Sequence, residues 1–144
     1  MAAKDIIDVQ VTVETLNLDF GQLLESLQLT MRDDITCDHC PPGLDVSAEQ
    51  LEKRYCQKLD RPINIHIRAA GSFNTKYALL CRDFLKANRM AREAYGEIKH
   101  QLANRFSEDA ETYYQIKDPV FDVLVAGALV WADANDWSIP SSDI

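Results

Sequence analysis

Ile7-Asp8-Val9-Gln10-Val11-Thr12-Val13 alternates apolar and polar residues with a period of two, and Ile63-Asn64-Ile65-His66-Ile67-Arg68 repeats the pattern. Successive side chains of a strand point to opposite faces, so each segment reads as a half-buried strand with aliphatics on one side and polar groups on the other. The first strand is expected over about Asp5 to Val13 and carries Asp8, Gln10 and Thr12 on its polar side. The second, Ile63 to Ala69, carries Asn64, His66 and Arg68. Placed in one sheet, Asp8, Gln10, His66 and Arg68 converge on a single patch, and function is expected there.

Elsewhere the period lengthens to that of a helix. Asp19 is a candidate N-cap for a helix covering Phe20, Leu23, Leu24 and Leu27, although Gly21 weakens its first turn. A short segment around Met31 leads into a turn-rich loop, Thr36 to Gly43. Ser47-Ala48-Glu49-Gln50 resembles a capping box and predicts a helix to about Gln57. Arg61-Pro62 introduces the second strand, which Gly71-Ser72 ends. From Thr75 onward the chain reads as helical. One stripe is Tyr77, Leu80, Cys81, Phe84 and Leu85, with Asn88 near its end; the next is Ala91, Ala94, Tyr95, Ile98, Leu102 and Phe106. Ser107-Glu108-Asp109 caps a third helix, and Asp118-Pro119 opens or kinks a final one with Val120, Val123 or Leu124, Gly127 and Trp131. The fold class is therefore α+β, a small mixed sheet packed by C-terminal helices, in a single domain over residues 1–137 with a frayed tail at 138–144. Two or three strands make a sparse sheet, so a further element is expected ahead of the first.

The composition, 47% hydrophobic and 26% charged over 144 residues, is that of a soluble globular chain. No apolar run approaches the ~20 residues that span a bilayer, and the start carries no signal-type apolar segment, so no membrane partner is expected and the expected location is cytoplasmic. A net charge of −8 argues against a general nucleic-acid binder, because a phosphate backbone is repelled overall. It leaves room for a local anion pocket built from Lys53, Arg54, Arg61, Arg68 and Arg82. The cysteines Cys37, Cys40, Cys56 and Cys81 read as reduced thiols. Cys37-Asp38-His39-Cys40 is a lone C-x-x-C, and a structural zinc needs a second ligand pair that is absent at the right spacing. Asp38-His39 is expected to order its loop over the sheet face. Cys81, Tyr95, Tyr113 and Trp131 read as packing residues, and Arg89, Arg92, Lys99 and Arg105 as a solvated helix face.

The order of motifs resembles the GrpB family, within the nucleotidyltransferase-fold superfamily. The residues that carry the resemblance are Ala3-Lys4-Asp5-Ile6-Ile7-Asp8-Val9-Gln10-Val11, Asp38-His39 with Pro41-Pro42-Gly43, Lys53-Arg54-Tyr55, and Ile65-His66-Ile67-Arg68 with Gly71-Ser72 and Asn74. Leu80-Cys81-Arg82-Asp83-Phe84-Leu85, Tyr95…Lys99, Tyr113…Lys117 and Trp131-Ala132 continue it. The resemblance implies a nucleotidyltransferase-like fold that here lacks the family's preceding helix and Gly-Ser turn, so the chain is expected to be N-terminally truncated. Related domains occur fused to dephospho-coenzyme A kinases, which implies a coenzyme A link as one expectation.

In that superfamily two carboxylates at i and i+2 on one strand and a third on a neighbour hold two cations. Here the pair is Asp8 and Gln10, with His66 in the third position, too little charge for two hard cations. The resemblance therefore implies a binder of a nucleotide or other phosphorylated small molecule through Asp8, Gln10, His39, Arg54, His66, Arg68 and Arg82. One divalent metal on Asp8 and His66 is the candidate cofactor, since imidazole suits transition metals. Two alternatives stand beside this reading: an active metal-dependent nucleotidyltransferase, and a protein-interaction module completed by a partner chain. All of them need Asp8 and His66 to project from neighbouring strands toward one hollow.

Overall fold

Alternation with a period of two produces strands where it is strongest. The computed structural model describes residues 6–58, 60 and 62–140. In it β1 runs over Ile7–Val13. Helix α1 follows at Gly21–Leu27; its N-cap is Phe20 and not the expected Asp19, whose Oδ1 accepts the Gly21 N–H at 2.8 Å from one residue further out. Gln28 ends it in the left-handed region at φ 56°. Then come β2 (Thr30–Met31), α2 (Ala48–Leu51), β3 (Arg54–Lys58) and β4 (Ile63–Ala69). The expectations that fall on Ala3-Lys4-Asp5, Arg61 and the last residues from Ser141 lie outside the described residues.

The helix expected from Ser47 to about Gln57 stops after one turn. Ser47 does cap it, its side chain accepting the Gln50 N–H at 3.4 Å. Glu52 then turns extended, at φ −63° and ψ 139°, and the chain enters β3. A strand buries the sequence neighbours Tyr55 and Cys56 on opposite faces at once, which no helix can do.

The strands form one mixed sheet in the order β1-β4-β3-β2. β1 runs parallel to β4, with Asp8 opposite Asn64, Gln10 opposite His66 and Thr12 opposite Arg68. β3 runs antiparallel to β4, with Tyr55 opposite His66, and antiparallel to β2. The aliphatic face builds a core of Leu16, Cys56 and Ile67, against which Val13, Phe20, Leu24, Met31 and Ile65 pack. Burial of each such side chain contributes about 1.5–3 kcal/mol, and it fixes the register, because a slip of one residue would turn every polar group inward.

A first compact unit ends at Lys76 and a second begins at Tyr77. Helix α3 spans Phe73–Ala87, and Tyr77, Leu80, Cys81, Phe84 and Leu85 are all buried, as their spacing requires. Asn88 lies at the end of α3, where its N–H bonds to Phe84 O at 2.8 Å, and it also caps α4 (Arg89–Arg105), accepting the Ala91 N–H at 2.9 Å. Asp109 caps α5 (Ala110–Ala134), accepting from Thr112 N at 3.0 Å.

The third and final helices expected from sequence are one element, with Pro119 inside it. Asp118-Pro119 carries the local signature of a helix start, but the helix is already running there. Of the expected stripe, Leu124 and Trp131 pack on the core while the alternative Val123 is 76% exposed, and the fully buried positions are Val125 and Ala128. Ala128, Leu80 and Phe84 centre the core of this unit, with Trp131 and Trp137 packed around them. Among the described residues no helix is long and apolar enough to cross a membrane.

Candidate functional site

The polar face of the sheet carries two hydrogen-bonded networks with His66 between them. In the first, Arg68 sends Nε and Nη2 to the two carboxylate oxygens of Asp38, at 2.6 and 2.8 Å, and Nη1 to Gln10 Oε1 at 2.8 Å. Lys53 Nζ joins the same carboxylate at 2.8 Å. In the second, Asn64 donates to Asp8 at 2.9 Å and accepts from Tyr55 Oη at 2.7 Å. Gln57 then links Tyr55 Oη, at 2.8 Å, to Arg32, whose Nη1 reaches Gln57 Oε1 at 2.9 Å.

The loop that delivers Asp38 is pinned by backbone bonds on both sides. Asp38 N donates to Leu51 O, and Lys53 N to Thr36 O, each at 2.8 Å. The turn-rich segment thus runs alongside Leu51–Lys53 and lays its carboxylate against the end of β4.

The electrostatics are unusual for so small a sheet. The Lys53, Arg68 and Asp38 side chains each expose 9% of their surface, so two cations share one carboxylate away from water. Burial pushes the Asp38 carboxyl up, but hydrogen bonds from Arg68 and Lys53 outweigh it and hold it below the usual carboxylate range. His66 responds in the opposite sense. Burial, then the charges of Arg68 and Lys53, lower it to about 4, against a partial pull from Asp38 and Asp8. The imidazole is therefore neutral at pH 7. Its ring lies 5.0 Å from that of Tyr55, and its Nδ1 is buried without a hydrogen-bond partner among the described residues.

The structure brings Gln10, His66 and Arg68 together, with Asp8 one register step away on the same face. Strand spacing puts the backbones of Asp8 and His66 about 8 Å apart, and Asp8 is among the charges that act on the imidazole. Arg54, expected in the patch, faces the other way. It is in register with Ile67 on the aliphatic side, and its guanidinium pairs with Glu52 at 2.8 Å. Once Tyr55 takes the polar face, alternation sends Arg54 to the reverse. His39 is exposed, and its neighbour Asp38 joins the network. Arg82 belongs to the second unit, on α3, where it pairs with Asp83 at 2.8 Å. Asp38, Lys53, Tyr55 and Asn64 complete the face. The alternation of β4 already placed Asn64 on this face and the anion pocket already included Lys53, whereas Tyr55 sits on a strand the sequence did not announce and Asp38 is an acid in a loop.

Two hard cations do not fit this arrangement. The position that needs a second carboxylate holds Gln10, whose carbonyl oxygen already accepts from a guanidinium. Among the described residues no three His, Cys, Asp or Glu side chains gather closely enough to hold a metal ion, so Asp8 and His66 gain no third ligand. Cys37 and Cys40 are free thiols, as are Cys56 and Cys81. What the site offers chemically is a pair of fixed cations, a neutral imidazole and amide groups able to turn either way.

The chain matches the family model described as GrpB protein over residues 1–126. It is 33% identical over 150 residues to a dephospho-CoA kinase of Mycolicibacterium paratuberculosis, covering 94% of this chain and 37% of that protein. A dephospho-CoA kinase of Mycobacterium tuberculosis is 34% identical over 148 residues, covering 94% and 36%. The chain thus spans little more than a third of the length of these curated relatives. Among solved structures, the conserved protein GrpB from Enterococcus faecalis superposes with a TM-score of 0.57 at 26% identity, covering 88% of this chain and 71% of that one.

Proposed function

The chain belongs to the GrpB family, and on that premise we propose that its polar sheet face binds the phosphate of a nucleotide or another phosphorylated small molecule, without two-metal catalysis. One observation carries this reading: Lys53 and Arg68, both nearly buried, are balanced by the single carboxylate of Asp38. A desolvated cluster with surplus positive charge favours an anion, and the planar fork of arginine suits phosphate oxygens. Asp8 restores overall neutrality only from an exposed position, where water screens it. The neutral His66 adds a nitrogen that can accept or donate without adding charge.

The matched mycobacterial proteins are dephospho-CoA kinases. From them the reading takes a ligand class, adenosine-containing pyrophosphates, and no kinase activity. Nucleotidyl transfer is disfavoured because Gln10 stands where the chemistry needs a metal-binding acid.

Thermal-shift and calorimetric titration with inorganic phosphate, AMP, ADP, ATP and dephospho-CoA tests the reading. At least one of them raises the melting temperature in a concentration-dependent way, since a ligand of the native state alone stabilises it. EDTA leaves the shift unchanged, and Lys53→Met weakens binding by roughly tenfold, the equivalent of one lost charge-assisted hydrogen bond. Silence from every compound rejects the proposal.

A further inference from the structure

β1 is an edge strand with an exposed aliphatic row. On one side it pairs with β4; on the other it has no strand neighbour among the described residues. Its aliphatics are not covered either. Ile7 is 42% exposed, Val9 37% and Val11 38%, whereas their counterpart Ile67 on β4 is 5% exposed. A seven-residue strand with one open edge beside an open aliphatic row forms a template for another strand, and edges of this kind are ordinarily blunted by lysine, proline or a bulge. β1 carries none of these.

The sequence of β1 also selects the strand it accepts. About a two-fold axis at Gln10, an antiparallel copy sets Val9 opposite Val11, Ile7 opposite Val13, and Asp8 opposite Thr12. Each aliphatic meets an aliphatic, and the lone acid meets a hydroxyl. No like charges are opposed, the condition under which cross-strand pairs stabilise. Such self-complementarity is the signature of an isologous contact, in which one patch serves both subunits.

We infer that β1 is the contact surface for a second copy of this chain, joined by antiparallel β1–β1 pairing about Gln10 into one continuous sheet. The two polar faces then lie on the same side of that sheet, and the two aliphatic rows merge on the other. A single strand pair is small beside the ~1,600 Å² of a standard interface, so the dimer is a dissociating one. This inference stands on β1 alone and does not depend on what the polar face binds.

Sedimentation equilibrium of the full chain, from low micromolar to its solubility limit, tests it. The expected result is a monomer–dimer equilibrium. The double variant Val9→Lys/Val11→Lys sets like charges opposite each other twice and should weaken the dimer by at least roughly tenfold, with circular dichroism reporting whether the monomer remains folded. A second variant, Val9→Cys/Val11→Cys in a Cys37→Ser background, should form an intermolecular disulfide on mild oxidation, because directly opposed residues lie within disulfide reach. A monomer at every concentration overturns the inference. So does a dimer that tolerates both lysines and yields no cross-link.

Discussion

Arg68 grips Asp38 with two nitrogens, at 2.6 and 2.8 Å, across a separation of 30 residues in the chain. The fork joins a loop to the end of β4, and Lys53 closes the same carboxylate from the residue just before β3. One acid therefore holds together the network at this end of the polar face. Asp38→Ala leaves two nearly buried cations facing each other and should destabilise the fold by about 3–5 kcal/mol, measured by urea unfolding. If the site is built for anions, inorganic phosphate should recover part of that loss in Asp38→Ala and little in the double variant Asp38→Ala/Arg68→Met.

The pH dependence follows from two groups that act in the same direction. His66 titrates near 4 in the folded chain against 6.5 for an ordinary imidazole, so between those values the unfolded chain binds more protons. Stability then rises with pH through that window, is fully present above pH 6.5, and is lost on acidification. Asp38, held low, adds a loss at still lower pH, as its carboxylate is protonated. The urea midpoint should fall between pH 7 and pH 4.5, and His66→Gln should flatten that fall. A two-dimensional NMR titration of the three histidines should find His66 still neutral at pH 5.5.

Arg54 and Arg68 separate a surface cation from a site cation. Arg54 pairs with Glu52 where their side chains are 29% and 45% exposed, so Arg54→Ala should change stability by no more than about 1 kcal/mol. Its effect on ligand-induced thermal shifts should be negligible. Arg68→Ala should abolish those shifts.

Along α5 the two valines Val123 and Val125 differ in fate, at 76% and 1% exposure. Val125→Ala should cost about 2 kcal/mol, through lost transfer energy and a residual cavity. Val123→Ala should fall within about 0.5 kcal/mol of the parent. Equal effects from both would mean that the helix presents a different face to its core.

β4 was legible to the residue because Ile63–Ala69 alternates without interruption and has a turn at each end. β3 was hidden. Arg54-Tyr55-Cys56-Gln57-Lys58 contains no β-branched residue, and the sound cap at Ser47 just before it argued for helix. The helix is real but lasts one turn, since local capping cannot outweigh the burial gained by a central strand. The face of Arg54 follows from that strand and not from the residue itself. Asp38 was recognised only as a residue that orders its loop. Its partners lie 15 and 30 residues away, and nothing in the sequence states the order of strands that brings them to it. Pro119 misled for the opposite reason: a start signal can sit within a helix that began earlier and has tertiary support on both sides.

The parallel pairing of β1 with β4 sets a timetable for synthesis. Asp8 and Asn64, hydrogen-bonded at 2.9 Å, are 56 residues apart. At ~5–20 residues per second, a ribosome delivers the second roughly 3–11 seconds after the first. Throughout that delay the nascent polypeptide trails a greasy ribbon with nothing to lie against, a natural substrate for chaperones that meet chains at the exit tunnel.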